Sequence, residues 1–303
     1  MENMKNEEIE RGLNNSIDYS SFKISPDLNA QVLAETGIDL SSVDTMISQQ
    51  KEINVKVDPD WASKGYDWKT AILVELSEGI DSTPWKWWKK GSIDWVNLEI
   101  ELVDKMFFIN AKLIEMNMEE NIKIFFMNQM LHEKNNSVKI ERTLDVATKA
   151  RVLMRDDFLR ILALDYYLVL IPTWFKIWNT IGNDAERLFK LYKLKFVLNQ
   201  FRQDHGYKDG SYIKMWNGVE DNKAAIALSE TIAYDENYIE NLTKALEEEY
   251  ATLSVDEQAT SELKTFEQFL AGSQKHNMIY ATFPEEMKKV LKDYVDSYIE
   301  FTK

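Results

Sequence analysis

Ala71-Ile72-Leu73-Val74-Glu75-Leu76-Ser77-Glu78-Gly79-Ile80 carries two acids three residues apart, and Leu98-Glu99-Ile100-Glu101-Leu102-Val103-Asp104 repeats the spacing. Residues three apart share one face of a helix, so each segment is predicted to aim a double negative charge in one direction. At about 100° per residue, Leu98, Leu102 and Met106 fall to one side of Glu101 and Asp104, and Ile100, Val103 and Phe107 to the other. Ile72, Leu76 and Ile80 border Glu75 and Glu78 on one side and Val74 on the other. A carboxylate stripe with apolar borders is expected to face inward. Glu99 falls opposite the pair and is expected on the solvent face. If the two helices run antiparallel, Glu75, Glu78, Glu101 and Asp104 converge, and that much charge in a partly dry site requires a cation. Hard oxygen ligands suit Mg²⁺, and Mg²⁺ suits a phosphate-bearing substrate. The alternative is a pair of solvated acidic faces: Glu7 and Glu10 show the same spacing in a segment expected to be solvated.

Composition bounds the function classes. The 303 residues include 45% apolar residues, enough for a substantial core, while Gly 10 and Pro 5 are too few for a turn-rich all-β chain. A net charge of -15 argues against a nucleic-acid surface, which needs basic stripes. It leaves room for a free nucleotide. Cys 0 removes disulfides, thiolate metal sites and Cys nucleophiles, and His 3 (His132, His205, His276) leaves little for a zinc site or a His-based triad. Met1 to Asn15 is acidic and amide-rich and does not read as a signal peptide. Ile161 to Trp178 is the most membrane-like stretch, but Asp165, Pro172 and Lys176 interrupt it, so it reads as a buried helix. A soluble, cytoplasmic protein with no membrane contact is expected.

The chain reads as all-α. Residues 1–42 form an irregular or loosely helical N-terminal extension. A helical pattern begins at Val43 and carries Gln49, Gln50 and Asn54, and a loop at Asp58-Pro59-Asp60 to Gly65 follows. The first acidic helix is predicted over Asp67–Ile80. Thr83 and Pro84 are expected to open a new short helix, and the second acidic helix runs over Ile93–Asn117. Residues 119–143 are polar, and His132-Glu133-Lys134-Asn135-Asn136-Ser137 is a loop signal. Leu144 to Ile181 reads as one long helical region bent near Pro172. A helix from Asp184 to Asp204 ends at Gly206, a loop extends to Asn222, and helical patterns cover about 224–250, 255–272 and 284–302. The core is placed at 43–222, with a first part at 43–118, an insertion at 119–144 and a second helical part at 145–222. Residues 223–303 form a C-terminal helical extension.

A second cluster lies downstream. Lys195, Asn199 and Arg202 share a helical face and lead into His205-Gly206-Tyr207-Lys208-Asp209-Gly210-Ser211-Tyr212, then Lys214 and Glu220-Asp221-Asn222. Cations beside a glycine-broken loop offer charge-assisted and backbone donors to phosphate oxygens. A solvated loop with Tyr and Trp packing is the plainer reading.

Together, Ala71 to Ile80 with Asp81-Ser82-Thr83-Pro84-Trp85-Lys86-Trp87-Trp88-Lys89, Glu101 to Asp104, and Lys195 to Asn222 resemble the dimeric, all-α dUTP diphosphatases of the all-α NTP pyrophosphohydrolase superfamily. The resemblance covers about 43–118 and 145–222. It implies Mg²⁺ held by Glu75, Glu78, Glu101 and Asp104, with Glu75 the candidate to accept a proton from water and Glu78 its catalytic neighbour. It implies water attack on the β-phosphorus, releasing dUMP and pyrophosphate, with dUDP also accepted. It implies phosphate and sugar contacts from Lys195, Asn199, Arg202, Tyr207, Lys208, Lys214 and Asn222. Gln50 and Asn54 resemble the amide element that reads the uracil edge, and Trp88 matches an aromatic that packs on the base. Trp85 and Trp87 read better as core or interface packing. Family members often carry a His where this chain has Phe107. A homodimer is implied too. Hydrolysis of dCTP, alone or beside dUTP, is the near alternative. A phage-type member that also binds a repressor is the more distant one.

Overall fold

The structure is a computed structural model, and it describes residues 28–135, 139–163 and 167–253. Asn136, Ser137, Asp165, His276, the first 27 residues and the patterns expected at 255–272 and 284–302 lie outside them. Among the described residues the fold is all-α, with ten helices and one two-stranded hairpin. The helices are α1 (Leu28–Thr36), α2 (Ser41–Val57), α3 (Trp68–Asp81), α4 (Trp95–Glu115), α5 (Glu119–Asn135), α6 (Leu144–Ala163), α7 (Leu170–Thr180), α8 (Ala185–Asp204), α9 (Asp221–Ser229) and α10 (Tyr238–Tyr250). None is long and apolar enough to cross a membrane.

The helix starts follow from capping chemistry. Asp67, Asp94 and Asp184 each accept from the backbone N–H three residues on, at 3.0, 3.0 and 2.9 Å. Each such cap is worth about 1 kcal/mol. Gly206, at φ +85°, lets the chain turn sharply after α8, in a conformation a Cβ would disfavour.

Two compact units divide the chain: residues 1–212 with 222–247, and residues 213–221 with 248–303. In the first, α4 is the central helix. It packs most extensively on α3 and also meets α2, α5, α7 and α8. The pairing of α3 with α4 is antiparallel. Asp94 N–H donates to Ser82 O at 2.9 Å, Gly79 lies opposite Leu98 and Glu101, and the Trp68 ring lies 6.2 Å from that of Phe108. A Cβ at Gly79 would stand in ordinary contact 3.7 Å from Glu101 Cβ and a little tight at 3.3 Å from Met154 Sδ. Trp174 of α7 donates its indole N–H to Leu102 O at 2.6 Å and stacks on Trp178, anchoring α7 to α4. In the second unit, Met215–Trp216 pairs antiparallel with Val219–Glu220 around Asn217 and Gly218, both at positive φ. Trp216 packs edge-on against Tyr250.

Five expectations are corrected. No helix begins at Pro84, because the Thr83 hydroxyl donates to Ile80 O at 2.7 Å and closes α3 instead of opening a new helix. The polar stretch 119–143 holds a 17-residue helix, α5. It is anchored by Ile122 and by Phe126, whose ring lies 5.0 Å from Phe175 and 5.9 Å from Phe189. The region 144–181 is two helices, with a 3₁₀ turn at Tyr167–Val169. Pro172 sits in the first turn of α7, where no intrahelical acceptor needs its missing N–H. The pattern at 224–250 breaks between α9 and α10, where Asp235 accepts from Asn237 N–H at 2.9 Å and starts a new helix. Finally, Glu99 is not on the solvent face. It is 2% exposed and clamped between Arg142 and Arg187, the latter at 2.7 Å. The face of α4 opposite the carboxylates is covered as well.

Candidate functional site

Glu75 and Glu78 on α3 and Glu101 on α4 bring one carboxylate oxygen each within 4.8 Å of one another. Glu101 is 7% exposed, Glu75 half-buried and Glu78 exposed. Burial, and then the nearby charge of Asp104, push Glu101 and Glu75 well above the usual carboxylate range. The two carboxyls interact with each other, and the raised proton affinity of the pair lessens the repulsion. Three carboxylate oxygens this close together are a donor set suited to a hard divalent cation. Asp104, one turn further along α4, is placed differently: its Oδ2 pairs with Lys195 Nζ at 2.8 Å.

Lys195, on α8, is 2% exposed, and its ammonium also donates to Asn222 Oδ1 at 2.7 Å. Asn222 Oδ1 accepts from Arg202 at 3.2 Å as well, and Arg202 donates to Asn199 Oδ1 at 3.2 Å. The Arg202 guanidinium lies 5.6 Å from the Tyr207 ring centroid. Lysine, arginine and two asparagines thus form one bonded cluster next to the acids. One helix face presents Lys195, Asn199 and Arg202 because they are spaced four and three residues apart.

These groups line a cavity of about 570 Å³. Gln50 and Asn54 reach it from α2, Glu75 from α3, Asp104 from α4, and Lys195, Asn199 and Arg202 from α8, with Tyr207 just beyond. Gln50 Nε2 donates to Asn54 Oδ1 at 2.9 Å. The lining is also aromatic: Trp61, Tyr66, Trp68, Phe107 and Phe108. Of the residues expected in a site, Glu78 and Glu101 adjoin it through Glu75, Asn222 stands behind Lys195 and Arg202, and Lys208 donates to Val57 O on its wall at 3.3 Å. The structure does not bring Trp88 to this cavity. Trp88 is 60% exposed on the α3–α4 connection, edge-on to Trp85 and Trp87. Trp87, at 90% exposed, is no core residue. Lys214 belongs to the second unit, where it pairs with Glu220 at 2.9 Å.

Sequence reasoning missed the aromatic lining and Asp58. Lys64 and then Tyr66 donate to Asp58 and hold its carboxyl down to about 2. The Trp61 to Trp68 spacing was its one visible signal. Another cavity, of about 610 Å³, is lined by His132, Glu133, Asp184, Glu186, Phe189 and Tyr234 among others, and contains none of the expected site residues.

No curated protein matches the chain. The dUTPase family profile matches residues 42–207, which include α2, α3, α4 and α8 and hence every residue lining the 570 Å³ cavity. That match spans more than half of the 303 residues, and on it the chain belongs to the dUTPase family of the all-α type, an enzyme of the nucleoside triphosphate pyrophosphohydrolase class.

Proposed function

We propose that the chain hydrolyses dUTP to dUMP and pyrophosphate by water attack on the β-phosphorus, accepts dUDP as well, and works with Mg²⁺ as a cytoplasmic homodimer. One observation carries the reading: a single cavity is lined by acids, by a lysine–arginine–asparagine cluster, by paired amides and by aromatic rings. Glu75, Glu78 and Glu101 would hold the ion, with Asp104 beside them. Mg²⁺, when bound, neutralises phosphate oxygens and orients the attacking water.

The remaining roles belong to the side chains. Glu75 has its proton affinity raised by burial and by Asp104, which suits a general base working near neutral pH. Lys195, Asn199 and Arg202 offer charge-assisted donors to the phosphate chain, and Asn222 holds the Lys and Arg heads in place. Gln50 and Asn54 read the base, while Trp68, Phe107 and Phe108 exclude water around it.

The test is to incubate purified protein with dUTP and Mg²⁺ and follow dUMP and pyrophosphate, with a panel of other deoxynucleoside triphosphates at equal concentration. Turnover of dUTP that Glu75→Ala abolishes is expected. No turnover, with Glu75→Ala indistinguishable from the unaltered chain, refutes the reading.

A further inference from the structure

Gln50 and Asn54 enter the cavity from consecutive turns of α2, and neither amide is free to choose which way round it sits. The constraint starts deeper in the core, two hydrogen bonds away. Asn110 of α4, fully buried, donates its Nδ2 to the hydroxyl of Tyr192 at 3.3 Å. Tyr192 of α8, 1% exposed, donates its own O–H to Gln50 Oε1. With Oε1 taken, Gln50 turns its Nε2 toward Asn54 and donates to Oδ1 at 2.9 Å. Asn54 Nδ2 is left buried without a hydrogen-bond partner. Every link points the same way, so the relay ends in an N–H that has nothing to bond to.

The middle of the relay is rigid. Phe107 stacks on the Tyr192 ring, with centroids 3.9 Å apart and planes 15° apart. Burial, ahead of the charge of Asp104, raises the phenol above its ordinary range, so it keeps the single proton it donates.

Base chemistry gives the direction of this relay a meaning. On its pairing edge uracil carries an acceptor, O4, beside a donor, N3–H. Cytosine carries a donor, the C4 amino group, beside an acceptor, N3. One side-chain amide can satisfy either base, but only by turning over. This inference rests on the assignment of base reading to Gln50 and Asn54. We propose that Asn110 and Tyr192 are positioning residues for base choice: their relay leaves the Asn54 amide nitrogen as its one unpartnered donor and so selects a pyrimidine carrying oxygen at C4 over one carrying an amino group. Cytosine would set a donor against the Asn54 donor, and a buried pair of facing donors is costly. Reversing the relay, with Asn110 Oδ1 accepting from Tyr192, would turn both amides over and leave Asn54 offering oxygen. Asn110 Oδ1 is itself buried and unpartnered, and the orientation of this one amide sets the polarity of the relay.

The experiment measures kcat/KM for dUTP and for dCTP, with Mg²⁺, on the full chain and on Tyr192→Phe, Asn110→Asp and Asn54→Ala. Tyr192→Phe keeps the stacked ring and removes only the hydroxyl. It is expected to lower the dUTP:dCTP ratio at least about tenfold, mainly through KM, since sites that hydrogen-bond a substrate discriminate by large factors. Asn110→Asp offers acceptors only when ionised, and is expected to move the ratio further toward dCTP. The ratio does not depend on the fraction of protein folded, so a merely structural role leaves it unchanged. An unchanged ratio in Tyr192→Phe, with Asn54→Ala impaired on dUTP, overturns the relay and leaves base reading intact. Asn54→Ala with undiminished dUTP turnover overturns both. Tyr192→Phe decides the matter even where Asn110→Asp does not fold.

Discussion

Replacing Glu101 by Gln separates stability from activity. The Gln amide is isosteric and offers a donor to Glu75, but removes the buried acid. The oxygens of Glu75, Glu78 and Glu101 lie within 4.8 Å of one another. Two full charges at that separation repel by about 3 kcal/mol at an effective dielectric of about 20. The raised proton affinity of the pair already lowers the repulsion present, so Glu101→Gln is expected to stabilise the metal-free protein by about 1–2 kcal/mol. At about 2–4 °C per kcal/mol for a domain of this size, the melting temperature in EDTA should rise by several degrees. The gain also has a sign in pH. Both acids have folded-state affinities for protons above their unfolded values, so the folded state binds more protons and loses stability as pH rises above the ordinary carboxylate range. Glu101→Gln should therefore flatten that decline. With Mg²⁺ the order reverses: the unaltered chain is expected to gain stability and the variant to gain little, with dUTP turnover down by about a hundredfold or more. The assay is a thermal melt from pH 6 to 9, in EDTA and in Mg²⁺. A variant that melts lower in EDTA, or responds to Mg²⁺ as the unaltered chain does, refutes the reasoning.

Further outcomes follow from other parts of the structure. Lys105→Met should cost about 3–5 kcal/mol in urea unfolding, because Lys105 (0% exposed) and Asp157 (1% exposed) form a buried ion pair in which Thr173 alone would remain to Asp157, at 2.7 Å. The double variant Lys105→Met/Asp157→Leu should recover most of that loss. Arg202→Met removes a charged donor from the cluster proposed to meet phosphate and should cost about 1.5–3 kcal/mol of transition-state binding, read as kcat/KM for dUTP. Gly206→Ala would place a Cβ 2.0 Å from Ser211 Oγ at φ +85°, so it should lower both melting temperature and kcat/KM by displacing Tyr207, with a loss of at least about 1 kcal/mol.

The helices that build the site were legible because their signals are local. Asp67, Asp94 and Asp184 announce three helix starts, and the Glu-x-x-Glu spacing sets the facing pair. What escaped was tertiary. Glu99 read as a solvent residue because the pattern of one helix cannot reveal that arginines from elsewhere in the chain cover its far side. Helix α5 escaped because it is polar, with only Ile122 and Phe126 of its 17 residues buried, and its last turn from His132 carried a loop signal. The aromatics of the cavity were missed for a related reason. Trp88 sits in the most conspicuous tryptophan run, whereas the lining is assembled from Trp61 and Trp68 across a turn. Tyr192 and Asn110 carry no sequence signal, since their hydrogen bonds join residues 142 and 82 positions apart.

The acids of α4 are neutralised unequally. Two arginines from the chain itself answer Glu99, while Glu101 two residues on has its proton affinity raised by burial and by the charge of Asp104. The interior is therefore electrically complete on one flank and unfinished on the other. A fold left in that condition gains stability from whatever cation settles there, by mass action. With magnesium as the proposed cation, survival of the enzyme against heat and proteolysis is expected to follow the free magnesium and nucleotide around it, so that a cell poor in either would hold less of the protein even at constant synthesis.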